Sequence, residues 1–393
     1  MSGIVKRIAI IGIGNAGSQV ALLAEQRCGD LIDTAFINSS DADLAMVNES
    51  RSEFKFKIGE GTIEGSGKNR SKTKQYLLAD IRKIVFNEEF MDMINDKTYV
   101  FVISSTAGGT GSGASPVMLD ILRSAFLDVK FIMVQIHPNM ETSSVGELGN
   151  AREYLDEFYR GLEGVAYMAY DNGTADHPSP TRSLVEINEA IVEDIRLISG
   201  CDNFPTKYDS IDEGDFETII GTEGRIIVVR ITKGLTEKIM EDTPIDDIII
   251  RAIKRSKHAE INRDKTCKYW GIITYFTEDV NKLYDARLEK LQDFLGSPKG
   301  KRFNHNAVNT NNESMNFLYF IASGLSPIND HVQKMDERVE ALKLNLAKSK
   351  PGEYVDSSEN NSYDTIIERE KFERRDGKEN TTMDIIGIFK KYY

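Results

Sequence analysis

One seven-residue segment, AGGTGSG at residues 107–113, constrains the fold of this chain more than any other feature. It follows the apolar run TYVFVISS at 98–105 and precedes a helical pattern at 112–126. Glycine lets a backbone approach a ligand closely, and a loop that opens a helix presents backbone N–H groups to an anion. A purely structural turn would gain nothing from so many glycines. The segment therefore predicts a phosphate-binding loop between a buried strand and a helix.

A second glycine-rich segment, GIGNAG at 12–17, has the GxGxxG spacing of dinucleotide-binding loops, which is a weak signal alone. A nicotinamide or flavin site also needs an acidic residue at the end of the second strand, to hold a ribose hydroxyl. That strand instead ends in Asn38, with Asp41 a little beyond. No GK[ST] follows either glycine segment, so a Walker loop is excluded. A dinucleotide-binding oxidoreductase stays open as an alternative, although it leaves residues 107–113 unexplained.

Strands and helices alternate along the first half of the chain, which predicts a doubly wound parallel sheet. The predicted elements there are strands at 6–13, 32–38, 98–105, 129–136 and 164–170, and helices at 17–28, 73–95, 112–126 and 146–160. A long central helix is predicted at 183–198. Beyond it we interpret a second, smaller α/β domain, with strands at 224–232, 268–276 and 315–323 and helices at 245–258 and 279–295.

The C-terminal part consists of three segments of different composition. A helix is predicted over 329–348, where apolar residues at alternating spacings of three and four indicate packing on its own domain. An inter-subunit contact is the alternative for this helix. Residues 350–380 have the composition of a disordered tail. The last segment, MDIIGIFKKYY (383–393), is predicted to dock on a partner, with folding back onto the body as the alternative.

Composition excludes several function classes. The formal net charge of −13 argues against direct coating of DNA, because neutralising phosphates requires clustered Lys and Arg. Cys28, Cys201 and Cys267 lie far apart without CxxC spacing, which argues against a disulfide framework or a zinc site. No stretch approaches the roughly 18 apolar residues that span a membrane. We expect a cytoplasmic protein without a membrane partner.

The two glycine loops and their flanks carry a resemblance to a known family. AGGTGSG resembles the tubulin signature GGGTGSG, and VFVISSTAGGTGSGASP is similar to the equivalent stretch of FtsZ, the bacterial division tubulin. Ala107 stands where the signature has its first glycine. The resemblance implies GTP or GDP as the ligand, GTP hydrolysis as the activity and Mg²⁺ as the metal. It also implies the following organisation: a GTP-binding domain at 1–182, a central helix at 183–200, a GTPase-activating C-terminal α/β domain at 201–328, an extended C-terminal helix at 329–350 and a flexible tail at 351–393.

The resemblance extends to the nucleotide contacts. GIGNAGSQ (12–19) is similar to the first phosphate loop, IGEGTIEGSGKNRSK (58–72) to the loop that senses the γ-phosphate, and YDNGT (170–174) to the ribose and base loop. The position of Asn188 matches the one that reads the guanine edge. Lys68, Arg70 and Lys72 are candidates to neutralise terminal phosphate charge, with solvated surface as the alternative for each. The implied contacts are Gly14, Asn15, Ala16, Gln19, Asp41, Gly65, Gly67, Asn69, Ala107, Gly108, Gly109, Thr110, Gly111, Ser112, Glu141, Asn172 and Asn188.

The implied catalytic residues follow the central helix. SIDEGDFETIIGTEGRIIVVRI (210–231) resembles the family's loop of paired acidic residues, here Asp212 and Asp215. In the family this loop reaches the nucleotide pocket of the next subunit, where its carboxylates orient water against the γ-phosphate. Ser210 stands where FtsZ has an asparagine, and Glu213 is a candidate to share the role. An acidic surface turn is the alternative.

Within the family, the acidic loop, the long C-terminal helix and the polar tail look most like the TubZ branch of plasmid- and phage-borne tubulins in type III partition systems. That branch implies a polar filament of this chain that moves DNA only indirectly, through a DNA-binding, TubR-like adaptor bound to the tail. A division or phage-centring filament is the alternative within the family. A regulator that binds GTP and caps filaments without hydrolysis is a further alternative, which an intact acidic loop disfavours.

Overall fold

The computed structural model describes residues 7–61, 65–176, 180–199, 213–261, 266–283, 288–296, 302–308 and 316–349. Its strands form a single ten-stranded sheet in the order β3-β2-β1-β4-β5-β6-β7-β10-β8-β9. The strands are β1 (Ile8–Ile13), β2 (Ile32–Asn38), β3 (Lys55–Lys57), β4 (Tyr99–Ser105), β5 (Lys130–His137), β6 (Ala166–Asp171), β7 (Gly224–Ile231), β8 (Tyr269–Phe276), β9 (Arg302–Val308) and β10 (Phe317–Leu325).

The first six strands are parallel, which confirms the predicted doubly wound sheet. The apolar sequences of β1, β4 and β5 are buried on both faces, as expected when helices cover each side of the sheet. One face packs against α3, α5 and α6, and the other against α1 and α7. The helices of this half are α1 (Gly14–Cys28), α2 (Asp41–Ala45), α3 (Arg70–Val85), α4 (Glu88–Asn95), α5 (Thr110–Ala125) and α6 (Val145–Gly161).

The sheet continues into the second half through a short junction. β7 pairs with β6 only at Ala166–Gly224 and Tyr167–Arg225. β10 is antiparallel to both β7 and β8, and β8 is parallel to β9. The predicted domain boundaries remain predictions. The helices of this half are α7 (Pro180–Ser199), α8 (Glu213–Ile220), α9 (Leu235–Met240), α10 (Ile245–Lys254), α11 (Glu278–Leu283), α12 (Glu289–Leu295) and α13 (Asn329–Ser349).

Two predicted helices are each divided. The pattern at 73–95 forms α3 and α4, because the Asn87 side chain accepts a hydrogen bond from the backbone of Phe90 and starts a new helix. The pattern at 279–295 forms α11 and α12. The sequence does not predict five elements of the structure: β3, α2, α8, α9 and β9. The first four are too short to show a clear hydrophobic period, and β9 consists mostly of polar residues.

Helix α13 packs its apolar residues mainly on the first half of the chain, and the ion pair of Lys334 with Glu260 joins it to the second half. Met335 is fully buried, while Val332, Val339 and Leu342 pack against the same core cluster as α6. Arg152 of α6 also pairs with Asp336 at 3.1 Å. The predicted packing of this helix within its own chain is confirmed. The prediction that it packs on the domain that directly precedes it is corrected, because its apolar residues contact the first half of the chain. Within the described residues, none of the helices combines the length and apolar character needed to span a membrane.

Candidate functional site

A cavity of about 810 Å³ lies at the carboxyl edge of the parallel strands. Its lining residues follow the ends of β1, β2, β4, β5 and β6. The sheet order makes β1 and its neighbours β2 and β4 a switch point, because successive connections leave in opposite directions there. In open α/β sheets, ligands bind in the crevice at such a point. The fold therefore places both glycine loops in one binding site.

Two helices begin at this cavity without a side-chain cap. α1 begins after Ile13 and α5 after Gly109, and neither first turn has a side-chain cap or an acidic residue. By contrast, α3 is capped by Asn69, and α6 has a capping box of Ser144 and Glu147. An uncapped first turn leaves backbone N–H groups and the positive end of the helix dipole available. Two such ends at one cavity suit a ligand with several phosphates.

Neighbouring glycines of the second loop have different steric roles. A Cβ on Gly109 would lie 2.7 Å from the Cα of Lys68, so this glycine allows the loop 65–68 to pack against it. Among the described residues, apart from its two chain neighbours, a Cβ on Gly108 would meet no heavy atom within 4 Å. Gly108 lines the cavity, and protein packing gives no reason for a glycine there. The space beside it suits the close approach of a ligand.

Helix α6 holds the two phosphate-side loops together. The buried Asn150 donates its Nδ2 to the carbonyl oxygens of Lys68 (2.8 Å) and Ala107 (3.1 Å). Glu147 accepts a hydrogen bond from Lys68 Nζ at 2.8 Å, and this bond lowers the pKa of Glu147. On the opposite side, Ser39 and Thr110 share a hydroxyl hydrogen bond of 2.6 Å. These contacts thus join four of the chain segments that form the cavity wall.

The three candidate phosphate cations occupy different environments. Lys68 lines the cavity. Arg70 is buried, pairs with Glu153 at 3.0 Å and Glu157 at 2.7 Å, and donates to the carbonyl oxygen of Ser112 at 3.1 Å. Lys72 is exposed and lies over the ring of Tyr76. Arg70 therefore joins α3, α5 and α6, and among the three side chains only Lys68 reaches the cavity.

Replacing Arg70 by glutamine is expected to lower the free energy of unfolding by about 3 kcal/mol, because the half-buried carboxylates of Glu153 and Glu157 lose this buried cationic partner. Lys72→Gln is the matched control, with an expected change within about 0.5 kcal/mol. Urea unfolding of both variants measures the difference. Unchanged stability of Arg70→Gln together with lost GTP affinity would contradict a structural role for Arg70.

Two predicted nucleotide contacts contain buried polar atoms that lack a hydrogen-bond partner among the described residues. These are Oδ1 of Asn172, which lines the cavity, and Nε2 of Gln19. Buried polar atoms are nearly always paired in folded proteins. Unpaired amide atoms at or near a cavity suit a polar ligand, and their positions agree with the contacts implied for the nucleotide.

The predicted contacts divide by position. Eleven line the cavity: Gly14, Asn15, Ala16, Gly65, Gly67, Ala107, Gly108, Gly109, Thr110, Gly111 and Asn172. Gln19, Asp41, Asn69, Ser112, Glu141 and Asn188 are not among its lining residues.

Several of the residues outside the lining have other partners. Asp41 pairs with Lys57 at 3.0 Å, and Asn69 caps α3. The buried Ser112 bonds the carbonyl oxygen of Gly108. Glu141 is exposed and lies 3.6 Å from Arg338.

Sequence reasoning missed other polar lining residues. A signal existed for some of them, since Ser39, Ser40 and Asp43 lie in the segment NSSDAD (38–43), which follows the second strand and contains the predicted contact Asp41. Asn139, Thr142, Ser143, Glu147 and Asp176 follow strand ends or begin a helix, and no motif marked them. Of the predicted catalytic pair, Asp212 lies outside the described residues, and Asp215 lies within α8 but its side chain is outside them.

Comparison with known proteins identifies the domain that contains this site. Residues 7–172 match the sequence model of the tubulin/FtsZ family GTPase domain. The chain contains a tubulin/FtsZ family GTPase domain. The predicted family, fold and enzyme class, a GTPase, are confirmed. The GxGxxG segment lies inside this domain, so the oxidoreductase alternative loses its basis.

Proteins similar to this chain include TubZ and CetZ proteins. The chain is 26% identical over 350 residues to the tubulin-like protein TubZ of Clostridium botulinum C phage, which is 85% of this chain and 83% of that protein. It is 23% identical over 300 residues to the tubulin-like protein CetZ of Pyrococcus horikoshii, and this match covers 74% of this chain and 79% of that protein. A GTPγS-form protofilament of Bacillus thuringiensis serovar israelensis TubZ has the same fold, with a TM-score of 0.70 at 14% identity, covering 89% of this chain and 96% of that one.

Proposed function

We propose that this GTPase assembles with itself into a filament and that the acidic loop of one subunit completes the catalytic site of the next. One observation carries the proposal: the carboxylates that line the cavity already have partners. Glu147 pairs with Lys68, Asp176 with Lys257 at 3.0 Å, and Asp43 accepts from Asn38 at 3.4 Å. Among the described lining residues, none supplies an unengaged carboxylate to orient water. A second copy can supply one through Asp212 and Asp215.

Different residues of this chain bind the phosphates, the ribose and guanine, and the attacking water. The uncapped ends of α1 and α5 bind the phosphates through backbone N–H groups, and water is oriented by the incoming carboxylates. Asn172 and Asn188 orient the ribose and guanine. The hydroxyls of Ser39 and Thr110 are hard oxygen donors that suit Mg²⁺ together with phosphate oxygens. When bound, Mg²⁺ neutralises charge on the terminal phosphates.

Self-assembly is further supported by the protofilament formed by Bacillus thuringiensis TubZ, whose fold this chain shares. Right-angle light scattering and phosphate release at micromolar protein test the proposal, with GTP and Mg²⁺ and with ATP and NAD as controls. We expect scattering and phosphate release with GTP and Mg²⁺, and neither signal with ATP or NAD. Phosphate release without scattering at any protein concentration would contradict assembly-coupled hydrolysis.

We further propose that the filament moves plasmid or phage DNA through a DNA-binding, TubR-like adaptor on the tail. The similarity to TubZ supports this role, and the net charge of −13 suits indirect attachment. A division or phage-centring filament is the second candidate, because CetZ proteins are also similar to this chain.

Deleting residues 381–393 is expected to leave assembly unchanged and to abolish recruitment of the adaptor. Deleting residues 357–369, of equal length and also outside the described residues, is the matched control and should change neither. Co-sedimentation of filaments with the adaptor measures both results. Loss of assembly in the first variant alone would mean that the segment belongs to the filament, and retained recruitment would mean that it is not the docking peptide.

A further inference from the structure

Helix α13 contacts one wall of the nucleotide cavity from outside. Arg338 donates from Nε to the carbonyl oxygen of Met140 (3.1 Å) and from Nη2 to that of Glu141 (3.0 Å). These carbonyls belong to the loop after β5, in which Asn139, Thr142 and Ser143 line the cavity. The guanidinium is half-buried, and its planar group bridges two successive carbonyls. Arg338 therefore fixes the course of a loop that the ligand faces.

The same helix contacts the neighbouring wall through a buried histidine. The His331 ring lies 5.1 Å from that of His137, the last residue of β5, and its Nδ1 lies 3.6 Å from Asp171 Oδ2. Asp171 Oδ1 accepts from the backbone of Gly173 at 2.7 Å, which sets the turn that carries Asn172. Burial lowers the pKa of His331 to about 4, so the ring is neutral at pH 7. His331 thus packs directly behind both cavity loops.

Further contacts fix α13 in this position. Asp336 pairs with Arg152 of α6, and Lys334 pairs with Glu260. Met335 is buried against the core under α6. A helix anchored on several sides is a rigid support. A change in its position therefore moves the loops that are bonded to it.

We propose that Arg338 and His331 are positioning residues for the nucleotide, and that α13 braces the loops at 138–143 and 171–176 in their binding geometry. The inference rests on GTP and GDP occupying the described cavity. It adds a coupling to the proposed function: α13 directly precedes the tail, so load or a partner on the tail can change how tightly the nucleotide is held.

The test is the affinity and dissociation rate of a fluorescent GDP analogue, measured by stopped flow on dilute protein that does not scatter. Arg338→Gln is expected to weaken binding about fivefold to tenfold, mainly through faster dissociation, because two hydrogen bonds to the loop are lost. His331→Gln is expected to have a smaller effect in the same direction. Arg338→Lys should recover part of the affinity, since one carbonyl contact can be restored.

Lys343→Met is the matched control, because Lys343 is an exposed cation one turn further along α13. It should bind GDP as tightly as the wild-type protein. Thermal unfolding in the absence of nucleotide separates positioning from folding, and Arg338→Gln should unfold within about 3 °C of wild type. Equal GDP affinity in Arg338→Gln, His331→Gln and the control would overturn the inference. A wild-type protein that fails to bind GDP would contradict the proposed function itself and with it this coupling.

Discussion

Replacing Asp212 and Asp215 together by alanine is expected to reduce GTP turnover per subunit by about a hundredfold or more, while GTP affinity changes less than about twofold. The physical reason is that these carboxylates act on the attacking water in the transition state and do not hold the nucleotide in the ground state. Assembly with GTP should persist, and the filaments should disassemble more slowly because the nucleotide is not consumed. Phosphate release, GTP affinity and light scattering measure the three effects.

The matched control for this variant removes an acidic side chain of similar size elsewhere. Asp279 lies in the first turn of the described helix α11, and its side chain is 96% exposed, so Asp279→Asn should leave turnover within about twofold of wild type. If the double variant kept normal turnover, the acidic residues would belong to a surface turn. If it lost GTP affinity as well, the loop would bind nucleotide and the assignment to catalysis alone would be wrong.

Replacing Gly108 by alanine is expected to weaken GDP and GTP binding by tenfold or more, an effect of at least about 1.4 kcal/mol. In the part of the chain that the structure describes, the new methyl group would meet no atom within 4 Å beyond its chain neighbours, so the fold should tolerate it. It would instead occupy the space beside the glycine loop where the phosphates are expected to approach the backbone. Nucleotide titration and thermal unfolding of the nucleotide-free protein measure the two outcomes.

Gly146→Ala provides the control for the Gly108 variant. Gly146 lies in the first turn of α6, is exposed, and also has no atom within 4 Å of an added Cβ. Its substitution should leave nucleotide affinity unchanged and raise stability slightly, because alanine has the higher helix propensity. Equal affinities in the two variants would mean that the ligand does not approach Gly108. A large loss of stability in Gly108→Ala would mean that other protein atoms occupy the space beside Gly108 in solution.

The parts of the fold and site that could be predicted are those encoded locally. Residues 107–113 and 12–17 predict glycine loops because each follows an apolar run and opens a helix, and the structure brings both to one cavity. The parallel order of β1 to β6 follows from the alternation of strands and helices. Short elements such as α2 and β3 could not be predicted, since their few residues have no distinct period.

The contacts that shape the site are mostly long-range, and the sequence has no local pattern for them. Asn150 bonds two loops that precede it by 82 and 43 residues, and Arg338 bonds carbonyls nearly 200 residues away. Arg70 seemed a candidate phosphate ligand because of its place in the loop, whereas its burial between Glu153 and Glu157 depends on α6. Such pairings arise only when the helices pack, so motifs could predict which loops lie at the cavity and could not predict the partners of individual side chains.

The most direct test of the composite catalytic site is a mixing experiment with two variants that each hydrolyse GTP slowly alone, at a GTP concentration that saturates the wild-type protein and lies well below the weakened affinity of Gly108→Ala. The Asp212→Ala, Asp215→Ala variant keeps an intact cavity, and Gly108→Ala keeps an intact acidic loop. Phosphate release is measured across mixing ratios, with differently labelled subunits sedimented together to verify mixed filaments. Catalysis between neighbouring subunits predicts that the mixture recovers turnover, with a maximum near equal proportions. Mixed filaments without recovered turnover would contradict the account, because each subunit would then have to supply both parts of its own site.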